Sequence, residues 1–160
     1  MLVYIGLGSN LQEPIEQIEC ALAGLEQMDG GWLSNFSSLY RSPPMGPQNQ
    51  PDYLNAVAEI ETTLAPLELL DRLQQIEGQQ GRVRGRRWGE RIIDLDLLLY
   101  GDEIFDHPRL QIPHPGIAER LFVLLPMEEV AGPDLEIPGL GRVGELLKKC
   151  KGDEITKVRQ

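Results

Sequence analysis

Cysteine is nearly absent: Cys20 and Cys150 are the only two in 160 residues. Two thiols build neither a disulfide scaffold nor a cysteine-rich metal centre, and they suit a reducing compartment, so a cytoplasmic protein is expected. Long apolar runs are also missing. None approaches the roughly 18–20 residues that a membrane-spanning helix needs, so no integral helical membrane protein is expected. The opening Met1-Leu2-Val3-Tyr4-Ile5-Gly6 carries no basic cluster, so no secretory signal is expected. The standard catalytic motifs are lacking as well: no G-x-x-x-x-G-K-[ST], no G-x-S-x-G and no H-E-x-x-H occurs. Gly6-Leu7-Gly8-Ser9-Asn10-Leu11 begins like a dinucleotide fingerprint, but Leu11 stands where the third glycine belongs, which argues against a Rossmann fold.

Hydrophobic residues make up 41% of the chain, enough for a packed core, and the length suits a single domain over residues 1–160. The net charge is −10, which excludes nucleic-acid binding through the overall field. Against that background, residues 82–91 (RVRGRRWGER) hold five arginines and one glutamate, a local charge of +4. A solvated basic loop and an anion site are both consistent with this run.

The organisation follows from periodicity. An apolar strand over Leu2–Leu7 ends in Gly8-Ser9-Asn10. Pro14 opens a helix with Ile15, Ile18, Leu22 and Leu25 on one face, closed by Gly30-Gly31. Residues 32–41 read as one strand, and Ser42–Asp52, with four prolines, as irregular. Tyr53–Thr62 alternates as a strand, and Pro66 opens a second helix with Leu69, Leu70, Leu73 and Ile76 buried. After the arginine loop, Ile92–Tyr100 reads as a strand, with a further short one near Glu103–Phe105. A Pro/His turn at Ile112–Pro115 precedes a helix from Ile117, and a small helix is expected at Val143–Lys149. The order β α β β α β is the ferredoxin-like α+β arrangement, with a mainly antiparallel sheet and helices on its face.

The chemistry concentrates at Asp94-Leu95-Asp96. Alternation on a strand puts Asp94 and Asp96 on one face, with Cα atoms about 6.6 Å apart, and Ile93, Leu95, Leu97 and Leu99 on the other. Two carboxylates on one face repel each other, and a divalent cation such as Mg²⁺ relieves the repulsion. The short pattern fits equally a strand whose exposed face is acidic. Nearby arginines tip the balance toward polyphosphate, because guanidinium forks and carboxylate-held metal together are what phosphoryl transfer requires. Trp88, set among glycines and arginines, is a poor core residue; it suits a flap over a nucleotide or a buried loop anchor. His114, between Pro113 and Pro115, is stiffly presented, whereas His107 has no comparable context.

Arg87-Trp88-Gly89-Glu90-Arg91-Ile92-Ile93-Asp94-Leu95-Asp96-Leu97-Leu98 resembles the signature of the 6-hydroxymethyl-7,8-dihydropterin pyrophosphokinase family. Further matches follow in order: Gly8-Ser9-Asn10, Tyr40-Arg41-Ser42-Pro43-Pro44 with Gly46-Pro47-Gln48, Gln50-Pro51-Asp52-Tyr53-Leu54-Asn55-Ala56, Glu77 with Gly81-Arg82-Val83-Arg84, and Pro113-His114. The resemblance covers about residues 2–140. It implies transfer of the β,γ-pyrophosphoryl group of ATP to the hydroxymethyl group of a reduced pterin, releasing AMP, on a three-layer αβα fold with a ferredoxin-like core. By the same resemblance Asp94 and Asp96 hold two Mg²⁺ ions, with Asp96 placed to take the hydroxyl proton. Arg82 and Arg91 stabilise the transferring group. Gln74, Glu77, Leu97 and His114 lie on the nucleotide side, and Arg84 and Trp88 belong to a loop that closes over ATP. Tyr53 and Phe122 sandwich the pterin, Asn55 reads its edge, and Ser42, Pro43 and Met45 complete its recognition. A monomer is expected. Glu90 and Pro115 depart from the family's usual residues, which bears on loop closure.

Two other classes compete with this reading. A nucleic-acid-binding ferredoxin-like module conflicts with the acidic charge. A nucleotide sensor without turnover leaves both the paired aspartates and the separate pterin motif without a role.

Overall fold

The structure, a computed structural model, describes residues 1–10, 13–42, 52–81, 93–150 and 155–159. Strand β1 (Leu2–Ser9) leads into helix α1 (Pro14–Glu26), β2 (Gly31–Phe36), β3 (Leu39–Ser42), β4 (Tyr53–Thr62), helix α2 (Pro66–Gly81) and β5 (Asp94–Tyr100). Then follow the hairpin β6 (Phe105–His107) and β7 (Leu110–Ile112), a 3-10 turn at Ile117–Glu119 and helix α3 (Leu121–Ala131). The chain closes with β8 (Glu136–Ile137), β9 (Gly141–Arg142), helix α4 (Val143–Lys149) and β10 (Thr156–Arg159).

The main sheet has the order β10-β3-β4-β1-β5, with β2 also paired to β4, and each of these pairings is antiparallel. With β2 and β3 counted as the two halves of one interrupted strand, this is the ferredoxin-like order, as the sequence predicts. Alternation sorts the core into two layers. Val3, Ile5, Leu7, Leu54, Ala56, Ile60, Leu95 and Leu97 pack with Ile18, Leu25, Leu69 and Leu73 of α1 and α2. Tyr4, Val57, Leu98 and Leu99 pack with Val123, Leu124 and Met127 of α3 and Val143 of α4. The result is an αβα sandwich.

Three expectations need correction. Helix α1 ends at Glu26 rather than running to Gly30-Gly31, because the Met28 N–H turns back to the Leu25 carbonyl and Gly30 adopts φ 89°. The strand expected over 32–41 is broken at Ser37 and Ser38, where the Ser37 Oγ accepts the Val57 N–H at 2.9 Å and the Ser37 N–H donates to the Val57 carbonyl. Leu99 does not share the face of Leu95 and Leu97: a bulge opposite Tyr4 and Ile5 shifts the register, so Leu98 and Leu99 both join the α3 layer.

Candidate active site

The site is built on three neighbouring strands. Pairing sets Asn55 of β4 opposite Gly8 of β1, and Gly8 opposite Asp94 of β5, so the three form one row across the sheet. In the parallel row two residues along, Gly6 lies opposite Asp96. These residues all face the α3 layer, since cross-strand partners share a face. The two glycines put no side chain between the amide on one flank and the carboxylates on the other. A cavity opens there, lined by Gly6, Gly8, Ser42, Tyr53, Asn55, Asp94, Asp96, Arg120 and Phe122. The Gly6-x-Gly8 pattern that fails as a dinucleotide fingerprint is therefore the cavity floor. Its signal in the sequence was a period of two matching that of Asp94 and Asp96.

Asn55 and Ser42 are buried, and the Asn55 amide donates to Ser42 Oγ at 2.8 Å and to the Tyr40 carbonyl at 3.5 Å. That commits the donor end, which the sequence left open for a ring edge, to neighbouring protein atoms. The Asn55 Oδ1 is aimed at β1: a Cβ built on Gly8 would stand 3.4 Å from it. On the opposite wall Phe122 opens α3. Pro126 supplies no N–H, so the carbonyl four residues back, that of Phe122, has no helical partner from it. The Arg120 guanidinium lies 5.9 Å from the Phe122 ring centre, a cation–π contact. Gly116 makes room for that arginine, since a Cβ there would meet Arg120 Nε at 2.7 Å. Arg120 lies outside every motif in the sequence.

A second cavity adjoins the first. It is lined by Leu70, Leu95, Asp96, Leu97, His107, Arg109, Gln111 and His114, among others. Among the described residues lining either cavity, Asp96 alone lines both. Asp96 is exposed and Asp94 half-buried. The backbone between them is pinned from α2, where a Glu77 carboxylate oxygen accepts the Leu95 N–H at 2.7 Å. Among the described strands β5 has a neighbour on one side only, and Glu77 gives this N–H a partner on the other. The same edge holds the Pro/His turn: the His114 N–H donates to the Leu98 carbonyl at 3.0 Å, and the Ile112–Pro113 peptide bond is cis.

Burial lowers the pKa of His114 from its ordinary value; Asp96 pulls it up and Arg120 pushes it further down. The His114 Nδ1 accepts the Gly116 N–H at 3.2 Å, so in the neutral ring the proton sits on Nε2. Gln74 is exposed on α2 and accepts from Arg109 Nη2 at 3.3 Å, while the same nitrogen pairs with Asp71 at 2.7 Å. Gln74 thus meets the second cavity through Arg109, a residue the sequence did not single out. His107 also lines that cavity, with its ring stacked on Phe105 at 5.9 Å and its Nδ1 accepting the Arg109 N–H.

The structure thus gathers Ser42, Tyr53, Asn55, Phe122, Asp94 and Asp96 around one cavity, and Leu97, His114 and Asp96 around the next. Pro43, Met45, Arg82, Arg84, Trp88 and Arg91 lie outside the described residues.

Comparison with known proteins gives this geometry a family. A profile for 7,8-dihydro-6-hydroxymethylpterin-pyrophosphokinase matches residues 4–132. A 2-amino-4-hydroxy-6-hydroxymethyldihydropteridine pyrophosphokinase from Haemophilus influenzae is 52% identical over 155 residues, covering 97% of this chain and 96% of that one. The enzyme of the same name from Bacillus subtilis is 43% identical, covering 81% of this chain and 77% of that one. Folic acid synthesis protein fol1 of Schizosaccharomyces pombe is 41% identical over 86% of this chain, which spans only 19% of that protein. Among solved structures, wild-type HPPK-DHPS from Plasmodium falciparum superposes with a TM-score of 0.73 at 15% identity, over 92% of this chain and 43% of that one. The chain therefore spans less than half of that solved protein, and the likeness there is one of fold. With close relatives matched almost end to end and the profile spanning both cavities, the chain belongs to the 7,8-dihydro-6-hydroxymethylpterin-pyrophosphokinase family.

Proposed function

We propose that this chain carries out its family's reaction with the two cavities that meet at Asp96. The chain is an ATP-dependent pyrophosphokinase of folate biosynthesis: pyrophosphate passes from ATP to the hydroxymethyl group of 6-hydroxymethyl-7,8-dihydropterin, and AMP leaves. In this reading the glycine-floored cavity takes the pterin and the adjoining one takes ATP. The observation that carries it is the position of Asp96, which faces both.

The pterin lies over Gly6 and Gly8, stacked between Tyr53 and Phe122. Asn55 offers its Oδ1 to the donor-rich ring edge, held in register by Ser42. The backbones of Ser42, Pro43 and Met45 complete the fit. Arg120 supplies positive charge where the new pyrophosphate linkage forms. On the nucleotide side, Leu97 contributes apolar wall, and neutral His114 directs Nε2–H toward phosphate. Gln74 and Asp71 hold Arg109 beside the cleft, and Glu77 fixes the strand that carries both aspartates. Arg82 and Arg91 stabilise charge on the transferring group, and Arg84 and Trp88 close over ATP to exclude water.

The donor set at Asp94 and Asp96 fits Mg²⁺. Both carboxylates border one cavity, and a pair of carboxylates leaves coordination positions for phosphate oxygens and water. Two bound Mg²⁺ ions would neutralise the polyphosphate and align the attacking and leaving oxygens. Asp96, open to both cavities, accepts the proton of the hydroxymethyl group.

We take the enzyme to be a monomer built as a single domain over residues 1–160. No helix among the described residues is long and apolar enough to cross a membrane. With ATP as co-substrate, we place the enzyme in the cytoplasm. Incubation with ATP, Mg²⁺ and the pterin alcohol tests the reading: AMP is expected to accumulate one-for-one with pterin diphosphate, whereas ADP would reveal an ordinary kinase and no nucleotide change a sensor.

A further inference from the structure

The two walls of the pterin cavity come from elements far apart in sequence, β3–β4 and α3, and one side chain ties them together. Glu129, near the C-terminal end of α3, reaches β3 and its flanking bend. One carboxylate oxygen accepts the Ser38 Oγ–H at 2.6 Å; the other accepts the Ser38 N–H at 3.0 Å and the Tyr40 O–H at 2.6 Å. Ser38 and Tyr40 are themselves buried. Burial pushes the Glu129 carboxyl upward in pKa, but the bonds from Ser38 and Tyr40, with Lys157 nearby, outweigh it and hold the group below its ordinary value.

Each end of this contact leads to a residue of the cavity. Glu129 and Phe122 sit seven residues apart on α3, two helical turns, so they share one face of the helix. Fixing Glu129 therefore restrains the rotation of α3 about its axis and with it the direction in which the Phe122 side chain leaves the helix. On the other side, Tyr40 pairs with Asn55 across β3 and β4, and its carbonyl accepts from the Asn55 amide. Ser42, two residues along the same strand, accepts from Asn55 as well. The stacking wall and the reading edge of the cavity are thus registered against each other through one carboxylate.

We infer that Glu129 is a positioning residue for the pterin: it sets the distance and angle between Phe122 and the Asn55–Ser42 pair without touching substrate. The inference rests on the pterin reading of that cavity. It also carries a chemical requirement. Three donors converge on Glu129, and only a carboxylate offers acceptors on both of its oxygens. Glutamine keeps one acceptor oxygen and sets an NH₂ donor against a hydroxyl or an N–H; alanine keeps none.

The test measures Kd for 6-hydroxymethyl-7,8-dihydropterin and for a non-hydrolysable ATP analogue with Mg²⁺ in wild type, Glu129→Gln, Glu129→Ala and Asn55→Ala, with melting temperatures recorded alongside. Loss of charge-assisted bonds is expected to raise the pterin Kd about tenfold in Glu129→Ala and about threefold in Glu129→Gln, with the ATP-analogue Kd within about twofold of wild type. A general structural role would weaken both ligands together, and that outcome overturns the inference. It is equally overturned if Asn55→Ala weakens the pterin while both Glu129 variants bind it as wild type does. Should Asn55→Ala itself leave the pterin Kd unchanged, the pterin reading of the cavity falls and this inference with it. Glu129→Gln preserves shape and one acceptor, so it decides the question if Glu129→Ala fails to fold.

Discussion

Asn55 and Asp94 face each other across Gly8: both are its cross-strand partners, one on each side of β1, so a glycine stands in the middle of the row that joins them. Adjacent strands are about 4.8 Å apart, so the backbones of Asn55 and Asp94 stand about 10 Å apart with no side chain on the residue between them. The proposed pterin site uses that frame, with the ring edge on Asn55 and the hydroxymethyl arm toward the aspartates.

The empty middle of the row is directly testable. An alanine at position 8 meets Asn55 Oδ1 at 3.4 Å, an ordinary contact, so Gly8→Ala is expected to fold normally. A strand alanine also costs less backbone entropy than glycine, by about 0.5–1 kcal/mol, so the melting temperature should hold or rise slightly. The added methyl occupies the cavity floor, and the pterin Kd is expected to rise about tenfold, roughly 1.4 kcal/mol. Calorimetry of both quantities on one sample checks the split.

Asp94→Ala and Asp96→Ala should each reduce AMP formation by about a hundredfold or more, because polyphosphate charge is then left without its stabilising groups. The two should differ in ligand dependence. Asp96 borders both cavities and Asp94 only the glycine-floored one, so Asp96→Ala is expected to disturb ATP-analogue binding more. Titration calorimetry with and without Mg²⁺ reads this difference.

Asn55→Ala is expected to raise the pterin Kd about tenfold, consistent with about 1–3 kcal/mol for unmade hydrogen bonds at a buried site, and to leave the ATP-analogue Kd nearly unchanged. Its buried partner, Ser42 Oγ, loses a donor at the same time, so Ser42→Ala should show a smaller effect in the same direction. Equal losses for both ligands in either variant would contradict the assigned geometry.

The lowered pKa of Glu129 has a pH signature. A carboxyl that titrates lower in the folded than in the unfolded state stabilises the fold above its unfolded pKa. That contribution is lost as pH falls through the folded value. Urea denaturation of wild type should therefore lose more stability between pH 7 and the acid range than Glu129→Gln does. Identical pH slopes for the two proteins would contradict the hydrogen-bonded carboxylate.

What the sequence revealed and what it concealed have physical reasons. The strand Tyr53–Thr62 and the helix Val143–Lys149 are legible to the residue, because Leu54, Ala56, Ala58 and Ile60 recur every second position and Val143, Leu146 and Leu147 recur at helical spacing. The charges of Asp94 and Asp96 stand out on an apolar strand, and both line one cavity. Strict alternation puts Leu99 on the wrong face, because a bulge depends on the partner strand, which local pattern does not encode. Strand β10 was missed because four residues, Thr156–Arg159, owe their conformation to pairing with β3. Arg120, Arg109 and Glu129 were invisible for a similar reason: each acts on residues distant in sequence, Arg109 on Asp71 and Gln74, Glu129 on Ser38 and Tyr40. Arg120 gains its place only when the 3-10 turn brings it over Phe122 at the cavity wall.

The most direct test is a crystal structure with the pterin, a non-hydrolysable ATP analogue and Mg²⁺. The expected result has the pterin ring between Tyr53 and Phe122 with its edge on Asn55, phosphates in the adjoining cavity, and cations bound by Asp94 and Asp96 between the two. Phosphates seated away from Asp96, or both carboxylates bonded solely to protein atoms, would contradict the account.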